Sequence, residues 1–170
     1  MNDVKILFVD EEEKVFNSFK REVSFLPVDL YYAGNGEEAL KILEEQNIDL
    51  LISDERMTGI TGSELISIVR ERFPMVVSII ITGYADFDSI IKAVNSGQVC
   101  KYILKPWNKL ELIMTIKNAI EYKRDKELIL NLKSQLREKE DLLSSLEKRY
   151  PGISSVKKDK EGNVILDLEG

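Results

Sequence analysis

The 170-residue chain contains no histidine, and that absence removes several kinds of chemistry. Serine–histidine–aspartate hydrolase triads, most catalytic zinc sites and imidazole general bases all need it. Nor can such a chain carry a phosphohistidine of its own. Cys100 is the one cysteine, so no disulfide forms within the chain; its place at the start of an apolar run reads as core. No apolar stretch approaches the roughly 20 residues that span a bilayer. Met1-Asn2-Asp3-Val4 has neither the basic start nor the small-residue cleavage site of a secretory leader, which makes the cytoplasm the expected compartment. Positive charge is in deficit: 24 Lys+Arg against 30 Asp+Glu give a formal charge of −6. That balance argues against non-specific DNA binding, which works by neutralising phosphates. No helix-turn-helix pattern follows the first domain, so neither a direct nucleic-acid partner nor a membrane is expected. A hydrophobic fraction of 44% fits one ordinary globular domain with an extension.

Strand-like and helix-like patterns alternate to about residue 120. Strands are predicted at 4–9, 28–33, 48–53, 76–81 and 100–104. The first, third and fourth are nearly continuous apolar runs, as central strands covered on both faces require. Val28 to Ala33 is more mixed and suits an edge. Between them, Glu12 to Phe25 presents Val15, Phe16, Phe19 and Val23 at helical spacing. Asn35 or Gly36 opens a second helix with Ala39, Leu40 and Leu43 inward; Gly62 opens a third, which Pro74 stops. A fourth is predicted from Asp86, with Ile90, Ile91 and Val94 inward and Gly97 as its C-cap. Five such units imply an α/β fold, a parallel sheet doubly wound with helices on both faces.

Beyond Pro106 the texture changes. Lys109 to Tyr150 holds neither proline nor glycine, about 60 Å of helix. Leu112, Ile113, Ile116, Ala119 and Ile120 suit docking on the sheet. Ile129, Leu132, Leu136, Lys139, Leu143, Leu146 and Tyr150 fit a heptad seam, and six of the seven are apolar. The all-charged stretch Lys123-Arg124-Asp125-Lys126 separates the two registers, and the helix is expected to leave the domain there. The second part reads as a two-chain coiled coil; a polar helix laid back on its own domain is the alternative. The predicted divisions are therefore 1–123, a helical extension at 124–150, and a hairpin-like tail at 151–170.

Four of the strand-like runs end in polar groups of complementary chemistry: Asp10-Glu11, Asp54, Thr82 and Lys105-Pro106. The carboxyl edge of an open α/β sheet is where such folds build ligand sites. A carboxylate accepts a phosphoryl group once their mutual repulsion is cancelled, which a divalent cation on neighbouring carboxylates does. A lysine ammonium and a hydroxyl hold the remaining phosphoryl oxygens. Each residue alone has a plainer reading, as a helix cap, a solvated loop residue or a turn. The order of the four together makes the chemical reading the better one.

These segments resemble the receiver domain of bacterial two-component response regulators over about residues 3–123. The resemblance rests on Ile6 to Glu12, Leu51 to Met57, Gly59 to Gly62, Ile80 to Ala85 and Tyr102 to Trp107. It implies a flavodoxin-like sheet in the order 2-1-3-4-5 with an extended C-terminal helix. It also implies Asp54 as phospho-acceptor, with Asp10, Glu11, Asp54 and the backbone carbonyl of Arg56 around Mg²⁺ or Mn²⁺. Thr82 and Tyr102 match the switch residues, and Lys105 the lysine joined to its proline by a cis bond. The implied function is a phosphorylation-dependent switch, served by a sensor histidine kinase and relaying through a dimerising C-terminal helix to a homodimer, without turnover of an external substrate. Two positions depart from the pattern: Glu11 where aspartate is usual, and Thr58 where proline is common. A phosphorylation-independent dimerisation or interaction module is the alternative, and a phosphohydrolase acting through Asp54 a third reading. The run from Thr82 to Asp86, with Lys105-Pro106-Trp107, further resembles receivers attached to cyclic-di-GMP phosphodiesterases or to hydrogenase-type regulators.

Overall fold

The computed structural model describes residues 4–83 and 101–151. Their strands are β1 (Val4–Val9), β2 (Val28–Ala33), β3 (Leu50–Asp54), β4 (Val77–Thr82) and β5 (Lys101–Leu104). Their helices are α1 (Glu13–Val23), α2 (Gly36–Glu45), α3 (Gly62–Arg72) and α4 (Lys109–Arg149). The expected helix from Asp86, Cys100 and the tail hairpin lie outside these residues. All strand pairs are parallel and the order is β2-β1-β3-β4-β5, the doubly wound arrangement expected from the alternating pattern.

Period-two alternation sorts each central strand between two cores. Ile6, Phe8, Leu50, Ile52, Ile79 and Ile81 face one side with Phe19 of α1 and Leu112 and Ile116 of α4. Leu7, Val9, Leu51 and Ile80 face the other with Ala39 and Leu43 of α2 and Leu65, Ile66 and Val69 of α3. Each large apolar side chain so buried contributes roughly 2 kcal/mol before entropy is subtracted. β2 is an edge strand, in keeping with its mixed sequence.

β3 and β4 begin later than the apolar runs suggest and end one residue further on. Ile48 is buried, but its amide donates to the Gln46 carbonyl in a turn (3.0 Å), so pairing starts beyond it. Asp54 and Thr82 are consequently the last residues of their strands. α1 is also shorter than its apolar pattern: Phe25 lies beyond it, 59% exposed.

The chain divides into two units, Met1–Glu127 and Leu128–Gly170. Within the first, α4 is preceded by Asn108, whose side-chain oxygen accepts the Leu110 amide (2.8 Å), and buries Leu112, Ile113, Thr115, Ile116, Ala119 and Lys123. In the second, Leu128, Ile129, Leu130, Leu132, Leu136, Leu142, Leu143 and Tyr150 are exposed. No helix among the described residues is long and apolar enough to cross a membrane.

Candidate functional site

The sheet register brings the polar strand ends together. Val9 lies opposite Ser53, so Asp10 follows β1 beside Asp54 at the end of β3. Backbone bonds continue the ladder past the strands: the Glu55 amide donates to the Ile81 carbonyl (3.1 Å) and the Lys105 amide to the Thr82 carbonyl (2.7 Å). Tyr32 fixes the first loop from the other side, its hydroxyl donating to the Asp10 carbonyl at 2.9 Å.

The Lys105 ammonium sits between two carboxylates, 2.7 Å from Asp10 Oδ2 and 3.0 Å from Asp54 Oδ1. Asp10 is 2% exposed, and its Oδ1 also accepts the Glu12 amide at 2.9 Å. Burial raises the Asp54 carboxyl above the ordinary aspartate value, and the hydrogen bond and charge of Lys105 only partly offset it. For Lys105 burial acts the other way, but its bonds to Asp10 and Asp54 prevail and its pKa is raised. The charged form of the lysine is therefore secure, while the ionised form of Asp54 is held at a cost.

Thr82 is buried at the end of β4, its hydroxyl donating to the Gly83 carbonyl at 3.2 Å. Tyr102, in β5 opposite Ile80, packs half-buried against the second core. The Lys105–Pro106 peptide is cis, as the resemblance implied. Arg56 lies two residues beyond Asp54, exposed in the β3–α3 loop.

Glu11 stands apart from the group around Lys105. Its Oε1 accepts the backbone amide of Thr58 across the edge of the sheet. The Thr58 hydroxyl and amide together hold the Glu11 carboxyl below its ordinary value. The two positions that depart from the receiver pattern thus touch each other. Two hard carboxylates meeting at one ammonium suit a divalent cation such as Mg²⁺ in their donor chemistry. Among the described residues, however, no three acidic side chains gather closely enough to form a ready cage.

Three supporting features escaped the reading of the sequence. Glu55 is buried, and its carboxylate accepts both the amide of Ser63 (3.0 Å) and its hydroxyl (2.8 Å), tying the end of β3 to the start of α3. Thr61 and Glu64 close a capping box on the same helix. That signal was present as a threonine three residues before a glutamate. Gly62 lets the helix approach β3: a Cβ there would stand 2.2 Å from the Asp54 carbonyl oxygen.

The family model for the response regulator receiver domain matches residues 6–117. The hydrogenase transcriptional regulatory protein HoxA of Cupriavidus necator is 38% identical over 120 residues, covering 68% of this chain and 24% of that protein. A putative NtrX-like response regulator of Rickettsia felis is 30% identical over 145 residues, covering 84% of this chain and 30% of that protein. The chain thus spans less than a third of the length of these curated relatives. Among solved structures, the signal receiver domain of an HD domain-containing protein from Pseudomonas fluorescens Pf-5 superposes with a TM-score of 0.71 at 29% identity, covering 75% of this chain and 93% of that one.

Proposed function

Because the chain belongs to the response-regulator receiver family, we propose that it is a phosphorylation switch whose acceptor is Asp54. The observation that carries this reading is the Lys105 ammonium held between Asp10 and Asp54 at the carboxyl edge of the sheet. A carboxylate oxygen of Asp54 attacks phosphorus; an O–P bond forms as the P–N bond of a phosphohistidine breaks. With no histidine of its own, the chain takes the phosphoryl group from another protein, a sensor histidine kinase in the cytoplasm. Asp10, Glu11, Asp54 and the Arg56 carbonyl would hold Mg²⁺ (or Mn²⁺), which supplies charge neutralisation at the phosphoryl oxygens. Lys105 holds a second phosphoryl oxygen as a point charge. The Thr82 hydroxyl turns from the Gly83 carbonyl toward a third, and Tyr102 changes rotamer with it.

The output is a change in how two copies of α4 pair along Ile129, Leu132, Leu136, Leu143, Leu146 and Tyr150. Support for pairing comes from the heptad spacing and from the exposure of Ile129, Leu132, Leu136, Leu143 and Tyr150.

Intact-protein mass after incubation with Mg²⁺ and acetyl phosphate tests the acceptor. One phosphate-sized gain is expected, absent without Mg²⁺ and absent in Asp54→Asn. No gain from a folded, metal-bound protein would favour the phosphorylation-independent module. Sedimentation of the phosphorylated and unphosphorylated chain tests the relay; identical association and helix geometry in both would exclude it.

A further inference from the structure

As it stands, bonded to Thr58, the Glu11 carboxylate is not gathered with Asp10 and Asp54: among the described residues no three acidic side chains come together as a metal cage. The Glu11 carboxylate is bonded to the Thr58 amide, and the Thr58 hydroxyl is a second donor to it. Thr58 lies in the β3–α3 loop, between Asp54 and the capping box that begins α3. The same loop contains Arg56. Glu11 is exposed, so nothing packed around it fixes its direction except this bond. Glu11, Thr58, Gly59 and Ile60 also line a cleft of about 310 Å³ together with Gly34 to Glu37.

We propose that Glu11 and Thr58 form a latch: Glu11 holds the β3–α3 loop in the metal-free protein, and a divalent cation binds fully only when it draws Glu11 off Thr58. The inference rests on the metal-binding reading given above. It makes Glu11 a positioning residue with two alternative positions. It also makes cation binding and loop order opposed. Most sites tighten the loops around an incoming ion, whereas here the Thr58 amide loses its acceptor as the ion arrives. Free energy spent in breaking the latch is subtracted from metal affinity.

Proline at 58 removes the N–H donor, and aspartate at 11 shortens the reach toward Thr58 by one methylene. Mg²⁺ affinity of the whole chain, measured by titration calorimetry, is expected to rise roughly three- to ten-fold in Thr58→Pro, the range of one charge-assisted hydrogen bond at an exposed position. Glu11→Asp with Thr58→Pro is expected to bind no more tightly than Thr58→Pro alone, because the latch breaks only once.

The second readout is the Thr58 amide itself, followed by ¹H–¹⁵N NMR. In the metal-free protein it is expected downfield and protected, and on saturation with Mg²⁺ upfield and faster to exchange. Glu11→Asp is expected to show the upfield, unprotected amide without metal, which tests the latch even if Thr58→Pro fails to fold. Wild-type binding with an unmoved Thr58 amide and unchanged affinity in the variants would overturn the latch and leave the metal site standing. No Mg²⁺ binding by the wild type or either variant would overturn both. Binding by the variants but not the wild type would support the latch in its strongest form.

Discussion

One aspartate ends strand β3 and another stands just before its first residue, and each meets a lysine held between two carboxylates. At the carboxyl end Lys105 joins Asp10 and Asp54; just before the amino end Lys123 joins Asp49 (3.1 Å) and Glu127 (2.6 Å). The chemistry is the same and the burial is reversed. Around Lys105 the acids are the deeper partners, 2% and 15% exposed against 24% for the lysine. Around Lys123 the lysine is deeper, 11% exposed against 29% and 53%. At Asp54 burial leaves a carboxylate that is costly to ionise. A buried lysine leaves a cation that must keep its acids, and Asp49 is further committed by accepting the Lys5 amide at 2.9 Å. On the proposed reading one end changes with phosphorylation; the other fastens α4 to the sheet.

The largest effect is expected where one end can be broken without touching the other. Gly62→Ala places a Cβ against backbone, 2.2 Å from the Asp54 carbonyl oxygen and 3.0 Å from the Glu55 Cα. Backbone cannot give way as a flexible side chain would, so a loss of about 3 kcal/mol is expected in urea unfolding. The Lys123 contacts should survive in what remains folded, visible as an unchanged Lys123 environment by NMR. A stability within about 0.5 kcal/mol of wild type would mean that α3 does not need its close approach to β3.

Next comes the fastening. Asp49→Asn removes a charge from Lys123 while Glu127 stays, and Asp49 is partly exposed, so about 2 kcal/mol is expected rather than the full cost of an unpaired buried ion. Phosphate uptake at Asp54 should be unchanged once the variant is folded. A fall in uptake would show that the two ends of β3 are coupled, and would undo the contrast drawn between them.

Asp54→Asn should act in the opposite direction on stability. It ends phosphoryl acceptance, but it also removes a carboxylate whose ionised form burial disfavours. Such sites commonly return about 1 kcal/mol when neutralised, the usual exchange of activity for stability. If Asp54→Asn and Asp49→Asn both destabilise by similar amounts, the two ends are the same kind of structural ion pair.

The upper end was legible in the sequence because strand ends in a parallel sheet are lined up by register, and register follows from the apolar runs. Asp10, Asp54, Thr82 and Lys105 all stand at such ends. The lower end was not. Lys123 belongs to a run of four charged residues that reads as solvated, yet it is buried, and Lys126 donates to the Pro74 carbonyl. Helical spacing from Ile116 and Ala119 does point to position 123, so the periodic signal was present and the charge obscured it. The Glu11–Thr58 bond was illegible for a different reason. Both residues lie in loops, where side-chain direction depends on how two segments meet and not on any period. The sequence marked both as unusual without showing that they face each other.

The smallest expected effect is on pH dependence, where the two ends separate most cleanly. Asp54 is raised from 3.8, so the unfolded chain ionises this group first as pH climbs, while the fold still holds its proton. Its contribution to stability therefore falls as pH rises from about 3.8 to the folded value and is level above it. The advantage of Asp54→Asn should be absent in acid and complete at neutral pH. Lys123 is also raised, from 10.5, because its bonds to Glu127 and Asp49 outweigh the effect of burial. Its contribution is whole below about 10.5 and is lost as pH passes the folded value. Lys123→Met should thus cost most at neutral pH and least in strong alkali. Urea midpoints for both variants from acid to alkali would show one difference opening at the acid limit and the other closing at the alkaline limit. Two differences that ran in parallel would mean that burial does not distinguish the reactive carboxylate from the anchored lysine.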